Sequence, residues 1–207
     1  MKNLTIQTLV VLGTLSLSAI AQAAPISGPI QNPANNHFYY LLSSANWTTS
    51  QGQAVGLGGN LVTINDAAEN AWVASTFLNY GGVTRDLWTG LNDAVTEGTF
   101  KWVSGEAFTY SNWEPGTPDN GAGYVPAENY VHIYAGGTTR DSNLGWQVGR
   151  WNDYENLASY ATYYPTSPIR EIFGVVEVVP EPSVNVLLLA ASSLLVWLRS
   201  RNEKRPA

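Results

Sequence analysis

Beyond Trp113 the chain loses both periodicities that regular structure requires. A surface helix repeats apolar residues every three or four positions, and a half-buried strand alternates them. The sequence instead runs Trp113-Glu114-Pro115-Gly116-Thr117-Pro118-Asp119-Asn120, with Gly and Pro as punctuation. Strand-like sequence interrupts the loop only at 130–134, around 146–151 and at 172–178. So much loop in the second half argues against a repeated strand–helix–strand alternation. Side chains bearing oxygen recur along it, at Thr117, Asp119, Asn120, Glu128, Asn129, Asn152 and Asp153. Such donors can converge on one hard cation, and long loops on small scaffolds commonly carry function.

The first half reads differently. Residues 37–42 are aromatic and β-prone and predict a first strand; 44–49 offer caps for a weakly apolar helix reaching Ala54 and Leu57. Gly58-Gly59 supplies its stop. A short strand is expected at 61–64. Asn65 or Asp66 then caps a second helix, with Glu69 three residues after Asp66 as in a capping box. Trp72, Val73 and Phe77 recur at helical spacing and should be core. Strands at 86–91 and 100–103 follow. Two early helices and many short strands make the class α+β.

The two ends lie outside this pattern. Residues 1–23 carry Lys2, an apolar run from 9 to 20 and Ala21-Gln22-Ala23, the layout of a secretory signal cut after Ala23. Residues 24–36, rich in Pro, Ser, Gly and Asn, read as a linker. At the other end stand Pro180-Glu181-Pro182, a mostly apolar run of fifteen residues at 184–198 with Ser192 and Ser193 inside it, and Arg199, Arg201, Lys204 and Arg205. The apolar run is short of the roughly 20 residues that usually span a bilayer, and the basic residues would hold that end in the cytoplasm. This ending, 179–207, resembles the PEP-CTERM sorting signal of Gram-negative bacteria. The resemblance implies an exosortase-type enzyme acting at Pro180-Glu181-Pro182, transient anchoring in the inner membrane, and delivery to the cell surface or an exopolysaccharide matrix. A plain single-span anchor is the alternative.

Between the two ends remain about 155 residues, enough for one domain with a full core. From 24 to 178 there are five Lys and Arg against fourteen Asp and Glu, a net charge of −9. That balance disfavours nucleic-acid backbones and suits divalent cations and neutral ligands, although it also serves solubility. Cysteine is absent, which excludes a thiol nucleophile, thiolate ligands and any disulfide framework. The two histidines, His37 and His132, are too few for a His-rich zinc site, and His132 sits in an alternating strand as an ordinary surface or core residue. Catalysis would have to use carboxylates alone, and clustering around a cation would lower their pKa values instead of raising one; no catalytic residue is assigned.

The ordered series Trp47, Gly58-Gly59-Asn60-Leu61-Val62-Thr63-Ile64, Glu69, Trp88-Thr89-Gly90-Leu91, Tyr110-Ser111-Asn112-Trp113, Glu128-Asn129-Tyr130-Val131 and Trp151-Asn152-Asp153 resembles the C-type lectin-like domain over about 37–178. The resemblance implies a double-looped α+β fold in which the terminal strands pair, two helices flank small antiparallel sheets, and a long loop carries calcium. It implies metal ligands at Thr117, Asp119, Glu128, Asn152 and Asp153, and a cis bond before Pro118 that would turn both flanking side chains toward the ion. Carbohydrate would meet the same Asp119, Glu128, Asn152 and Asp153, two vicinal hydroxyls completing the Ca2+ sphere. Tyr124 is a candidate to stack on a sugar, or else a surface aromatic. An auxiliary calcium would involve Asp93, Glu97, Asn120 and Asn129 with Glu128; a polar turn between strands is the alternative.

Departures from the family matter. Thr117 stands where sugar-binding members carry Glu or Gln; it is two atoms shorter and lacks a carbonyl oxygen. Asp119 in third place tilts the ligand toward galactose type. The family's cysteine pairs are missing, so Trp47, Trp72, Trp88, Trp102, Trp113 and Trp151 should pack in their stead. Segments 136–149 and 156–169 are longer than usual. The expectation is an exported, calcium-dependent carbohydrate-binding protein; the alternative is a calcium-independent adhesion or biofilm-matrix module.

Overall fold

The computed structural model describes residues 24–123, 127–136, 145–159 and 171–181. The signal segment 1–23, Tyr124, most of both long segments, and the tail from Pro182 onward lie outside them.

Among the described residues the architecture is α+β, with two α-helices and one mixed sheet. Strand β1 is Ile30–Gln31 and β2 is Phe38–Ser44; helix α1 is Trp47–Gly56, β3 Asn60–Leu61 and α2 Ala67–Phe77. Then come β4 at Asp86–Asn92, β5 at Lys101–Trp102, β6 at Tyr130–Ile133, β7 at Trp151–Tyr154 and β8 at Ile172–Val178. Among the described residues the sheet runs β1-β2-β8-β4-β6-β7, with β3 beside β8 and β5 beside β4. The two ends of the domain meet in it: β2 is antiparallel to β8, from Phe38 opposite Val178 to Leu41 opposite Val175. β8 and β4 are parallel and central, and β4 is buried along nearly its whole length.

Covering both faces of β4 and β8 divides the core in two. Leu87, Leu91 and Val175 join Tyr39, Val73, Phe77, Val131, Ile133 and Trp151 on one face. Trp88, Ile172 and Val176 join Leu42, Trp47, Ala54, Leu61 and Tyr154 on the other. The backbones pack closely here: a Cβ on Gly90 would lie 2.5 Å from the Leu61 carbonyl oxygen.

Both helices begin where their caps stand. The Asn46 side chain accepts from the Thr49 N–H at 2.9 Å, and Gly58 at φ +84° lets the chain leave α1. Asp66 caps α2 through the Glu69 N–H at 2.8 Å. The Glu69 carboxylate reaches back one residue further than in a standard capping box, to the Asn65 N–H at 2.9 Å.

Four expectations shift, the first being the strand foreseen around 146–151, which forms instead at Trp151–Tyr154 after a turn at 148–149. The strand foreseen at 61–64 closes after Leu61; Val62 still donates to the Val175 carbonyl, but the Thr63 N–H turns to the Glu177 carboxylate at 3.0 Å. Residues 24–36 do not run free as a linker. β1 pairs with β2, and buried Ser27 accepts the Leu41 N–H at 2.8 Å. Trp72 is half-buried, laid over Tyr39 at 4.8 Å between ring centroids.

Aromatic packing occupies the interior of this cysteine-free chain. Trp151 is met by Trp102, Tyr110 and Trp113 at 6.0, 5.7 and 5.9 Å. A polar knot adds to it at the chain ends. The Tyr39 hydroxyl lies 2.6 Å from Glu69 and 3.0 Å from Glu177, the Asn35 amide donates to it at 2.8 Å, and His37 bonds Glu177 at 2.6 Å. Burial, then the Glu177 charge, pushes the Tyr39 phenol far up. The knot thereby joins β2, α2 and β8.

Candidate metal and ligand site

The long loop is hung on β7. Glu114 donates its N–H to the Trp151 carbonyl at 2.9 Å, and the Trp151 N–H goes to Asn112 at 2.9 Å. Arg150 clips the same turn, donating to the Asn112 side chain at 3.2 Å. The loop then turns through a cis Thr117–Pro118 peptide and a single 3-10 turn, Asn120–Gly123. Trp151-Asn152-Asp153 thus serves twice. Its tryptophan fills the core, and its Asp153 carboxylate meets the loop's backbone N–H groups.

Asp119, Glu128 and Asp153 converge, each offering a carboxylate oxygen within 4.8 Å of the others. Asp119 is exposed and the other two are buried. Backbone donors of the loop hold the group in place: Asp153 accepts the Asp119 N–H on Oδ1 at 3.1 Å and the Asn120 N–H on Oδ2 at 2.8 Å. Glu128 Oε2 accepts the Gly121 N–H at 2.9 Å, while Asn120 Oδ1 accepts the Glu128 N–H at 2.8 Å. Three like charges in a half-dry site disfavour full ionisation. Burial first, then Asp153 and Asp119, push the Glu128 carboxyl up to about 8. Burial also raises Asp153, against the backbone N–H groups that lower it.

Asn152, the fourth residue expected to hold the ion, directly precedes Asp153. Its Nδ2 donates to the Asp153 carbonyl at 2.6 Å, and its buried Oδ1 has no hydrogen-bond partner among the described residues. Three carboxylates and an orphaned amide oxygen are hard donors of the kind calcium takes; these residues fit that ion.

Thr117, expected among the ligands, is placed otherwise. Its hydroxyl lies 2.9 Å from the Glu114 carbonyl and 3.0 Å from the Trp151 carbonyl. A hydroxyl has one proton, and here it serves these carbonyls and anchors the turn.

The auxiliary set is only partly assembled. Asp93 is buried and accepts the Gly98 N–H on Oδ2 at 2.8 Å, while its Oδ1 has no partner among the described residues. Its own N–H donates to the Asn129 carbonyl at 3.1 Å, bringing that backbone alongside. Desolvation, then the Asp93 charge, pushes the Glu97 carboxyl up. Asn120 instead belongs to the Glu128 turn, and Asp93 and Glu97 do not join the group of three.

Glu114 and Glu155 are among the buried carboxylates that carry no role in the sequence reading. Glu114 accepts the Gln147 N–H at 2.9 Å and ties 145–149 to the loop. Glu155 lies two residues past Asp153 and contributes to raising Glu128; that adjacency is its one sequence signal. His132 is fully buried, edge-on to Trp88, with Nδ1 3.7 Å from Asp86. Tyr124 and Pro182 lie outside the described residues, whereas Pro180 and Glu181 are exposed directly after β8.

Comparison with known proteins agrees with the fold. The family model of the lectin C-type domain matches residues 43–156, more than half of the chain, and the chain belongs to that family. It is 34% identical over 92 residues to the galactose-specific lectin nattectin of Thalassophryne nattereri, covering 44% of this chain and 56% of that protein. It is 31% identical over 122 residues to a perlucin-like protein of Mytilus galloprovincialis, covering 54% of this chain and 78% of that one. The match thus spans little more than half of nattectin's length. The C-type lectin CEL-I of Cucumaria echinata superposes at a TM-score of 0.54 with 22% identity, over 73% of this chain and all of that one. Human lithostathine does so at 0.54 with 22% identity, over 77% and 94%. At these identities the two structures speak for the fold alone.

Proposed function

We propose that this protein is an exported lectin that binds a neutral carbohydrate through a calcium ion held by Asp119, Glu128, Asn152 and Asp153. The observation that carries the reading is the convergence of three carboxylates within 4.8 Å, one of them exposed, in a member of the lectin C-type family. When bound, calcium would offer open coordination positions to two vicinal hydroxyls of a sugar. The chain's own part is to hold charge: backbone N–H groups of Asp119, Asn120 and Gly121 fix the carboxylates. Three carboxylates leave a divalent ion with net negative surroundings, which disfavours acidic saccharides. Galactose-type ligands are the first to try, because Asp119 holds the third place of the triplet and nattectin is described as galactose-specific. As a member of the lectin C-type family, the chain takes a binding role, with no catalytic residue assigned.

The sorting reading is part of the same proposal. Pro180 and Glu181 stand exposed just past β8, where a processing enzyme of the exosortase type would reach them. Export through residues 1–23 and delivery to a bacterial surface or exopolysaccharide matrix follow from it. Among the described residues no helix is long and apolar enough to cross a membrane.

One observation favours a second reading, a calcium-independent adhesion module. The carboxylates already receive loop N–H groups, so the loop has internal bonding of its own. Calorimetry with calcium, then with galactose and mannose, separates the two. Calcium-dependent sugar heat supports the lectin, and sugar or polymer binding indifferent to chelator supports the module.

A further inference from the structure

Glu155 is a buried carboxylate without a task in the site as described. It follows Asp153 by two residues, one past the end of β7, where continued extended chain would place both side chains on one side. The residue is 8% exposed, and its Oε1 is buried with no hydrogen-bond partner among the described residues. Neither ion pair found among the described residues includes it. An unpaired carboxylate so placed is costly unless something positive compensates it. The proposed cation, held in part by Asp153 two residues before it, would supply such a charge. Glu155 lies near enough for its charge to act on Glu128, yet it is not one of the three converging groups. That inner set falls short of the 6–8 oxygens calcium takes, and the Thr117 hydroxyl serves backbone carbonyls.

We propose that Glu155 serves the same ion as a fourth carboxylate, acting through its charge from just outside the group of three and offsetting the donor that Thr117 does not supply. The inference rests on the reading of Asp119, Glu128 and Asp153 as a cation site. Charge count is one of the means by which calcium sites set their affinity, so the residue is a positioning and tuning group whose effect is read with the metal alone.

The test is calcium titration calorimetry on the full-length protein, paired with thermal melts in chelator. Glu155→Gln should weaken calcium binding by about tenfold or more while raising the melting temperature in chelator, because a buried unpaired charge is gone. Glu155→Asp, which keeps the charge, should recover most of the affinity. Glu106→Gln, removing an exposed carboxylate bonded to Asn65, should change neither reading. If Glu155→Gln binds calcium like the unaltered protein, or Glu155→Asp binds no better than Glu155→Gln, the assignment is overturned while the cation site stands. A lower melting temperature in chelator for Glu155→Gln also overturns it, marking a structural role. Failure of the unaltered protein to bind calcium overturns the cation site itself, and this inference with it.

Discussion

Asp153 accepts the backbone N–H of Asn120 at 2.8 Å on Oδ2, while its Oδ1 takes that of Asp119 at 3.1 Å. A single side chain on β7 therefore shapes the loop and supplies the cluster. Asp153→Asn keeps an oxygen for one of these bonds but removes the charge. Calcium affinity should fall at least about 100-fold, with a small change in melting temperature. Asp153→Ala should lose the affinity and also about 1–3 kcal/mol of stability, because the N–H groups lose their acceptor. Calorimetry and thermal melts in chelator read the two effects separately.

Thr117 gives the opposite pattern. Its hydroxyl bridges toward the Glu114 and Trp151 carbonyls, so Thr117→Val should destabilise the domain by about 1 kcal/mol. Calcium affinity should stay within about twofold of the unaltered protein. A tenfold loss of affinity would return Thr117 to the coordination sphere.

In chelator, stability should fall as pH rises from about 5 to about 8. The Glu128 carboxyl is held at about 8 in the folded chain against an ordinary value of 4.5. Between these values the folded state binds more protons than the unfolded one. The stabilisation is thus complete below the unfolded value and lost as pH climbs through the folded one, with a slope of up to about 1.4 kcal/mol per pH unit. Asp153 and Glu177, both raised by burial, act in the same direction. Calcium should flatten the Glu128 and Asp153 share of the slope and leave that of Glu177, which belongs to the knot at the chain ends. Thermal melts across this range, with and without calcium, check both signs.

Tyr39→Phe should cost about 2–3 kcal/mol without altering calcium affinity. The hydroxyl is shared by Glu69, Glu177 and Asn35, and its loss leaves two buried carboxylates less satisfied. Urea unfolding measures the cost, and calorimetry confirms the unchanged site.

Much of this was legible where the signal is local. Asp66 and Glu69 announce α2 by their spacing and Gly58-Gly59 ends α1, whereas the strand expected around 146–151 forms at Trp151–Tyr154. What escaped depends on partners far along the chain. Nothing near Tyr39 foretells that it meets Glu69 and Glu177, 30 and 138 residues away. Residues 24–36 have linker-like composition, yet the open edge of β2 takes up Ile30–Gln31. The oxygen donors Asp119, Glu128 and Asp153 are named through the family resemblance, whereas the inward use of the Thr117 hydroxyl requires the position of the Trp151 carbonyl. Glu155 receives no role from the sequence, because burial just past a strand end has no sequence signature.

The central claim is metal-bridged sugar binding, and a glycan array run in calcium and again in chelator tests it most directly. The account predicts retention of neutral, galactose-type glycans in calcium, abolished both by chelator and by Asp153→Asn. Binding that is equal with and without chelator, and unchanged in Asp153→Asn, would contradict it.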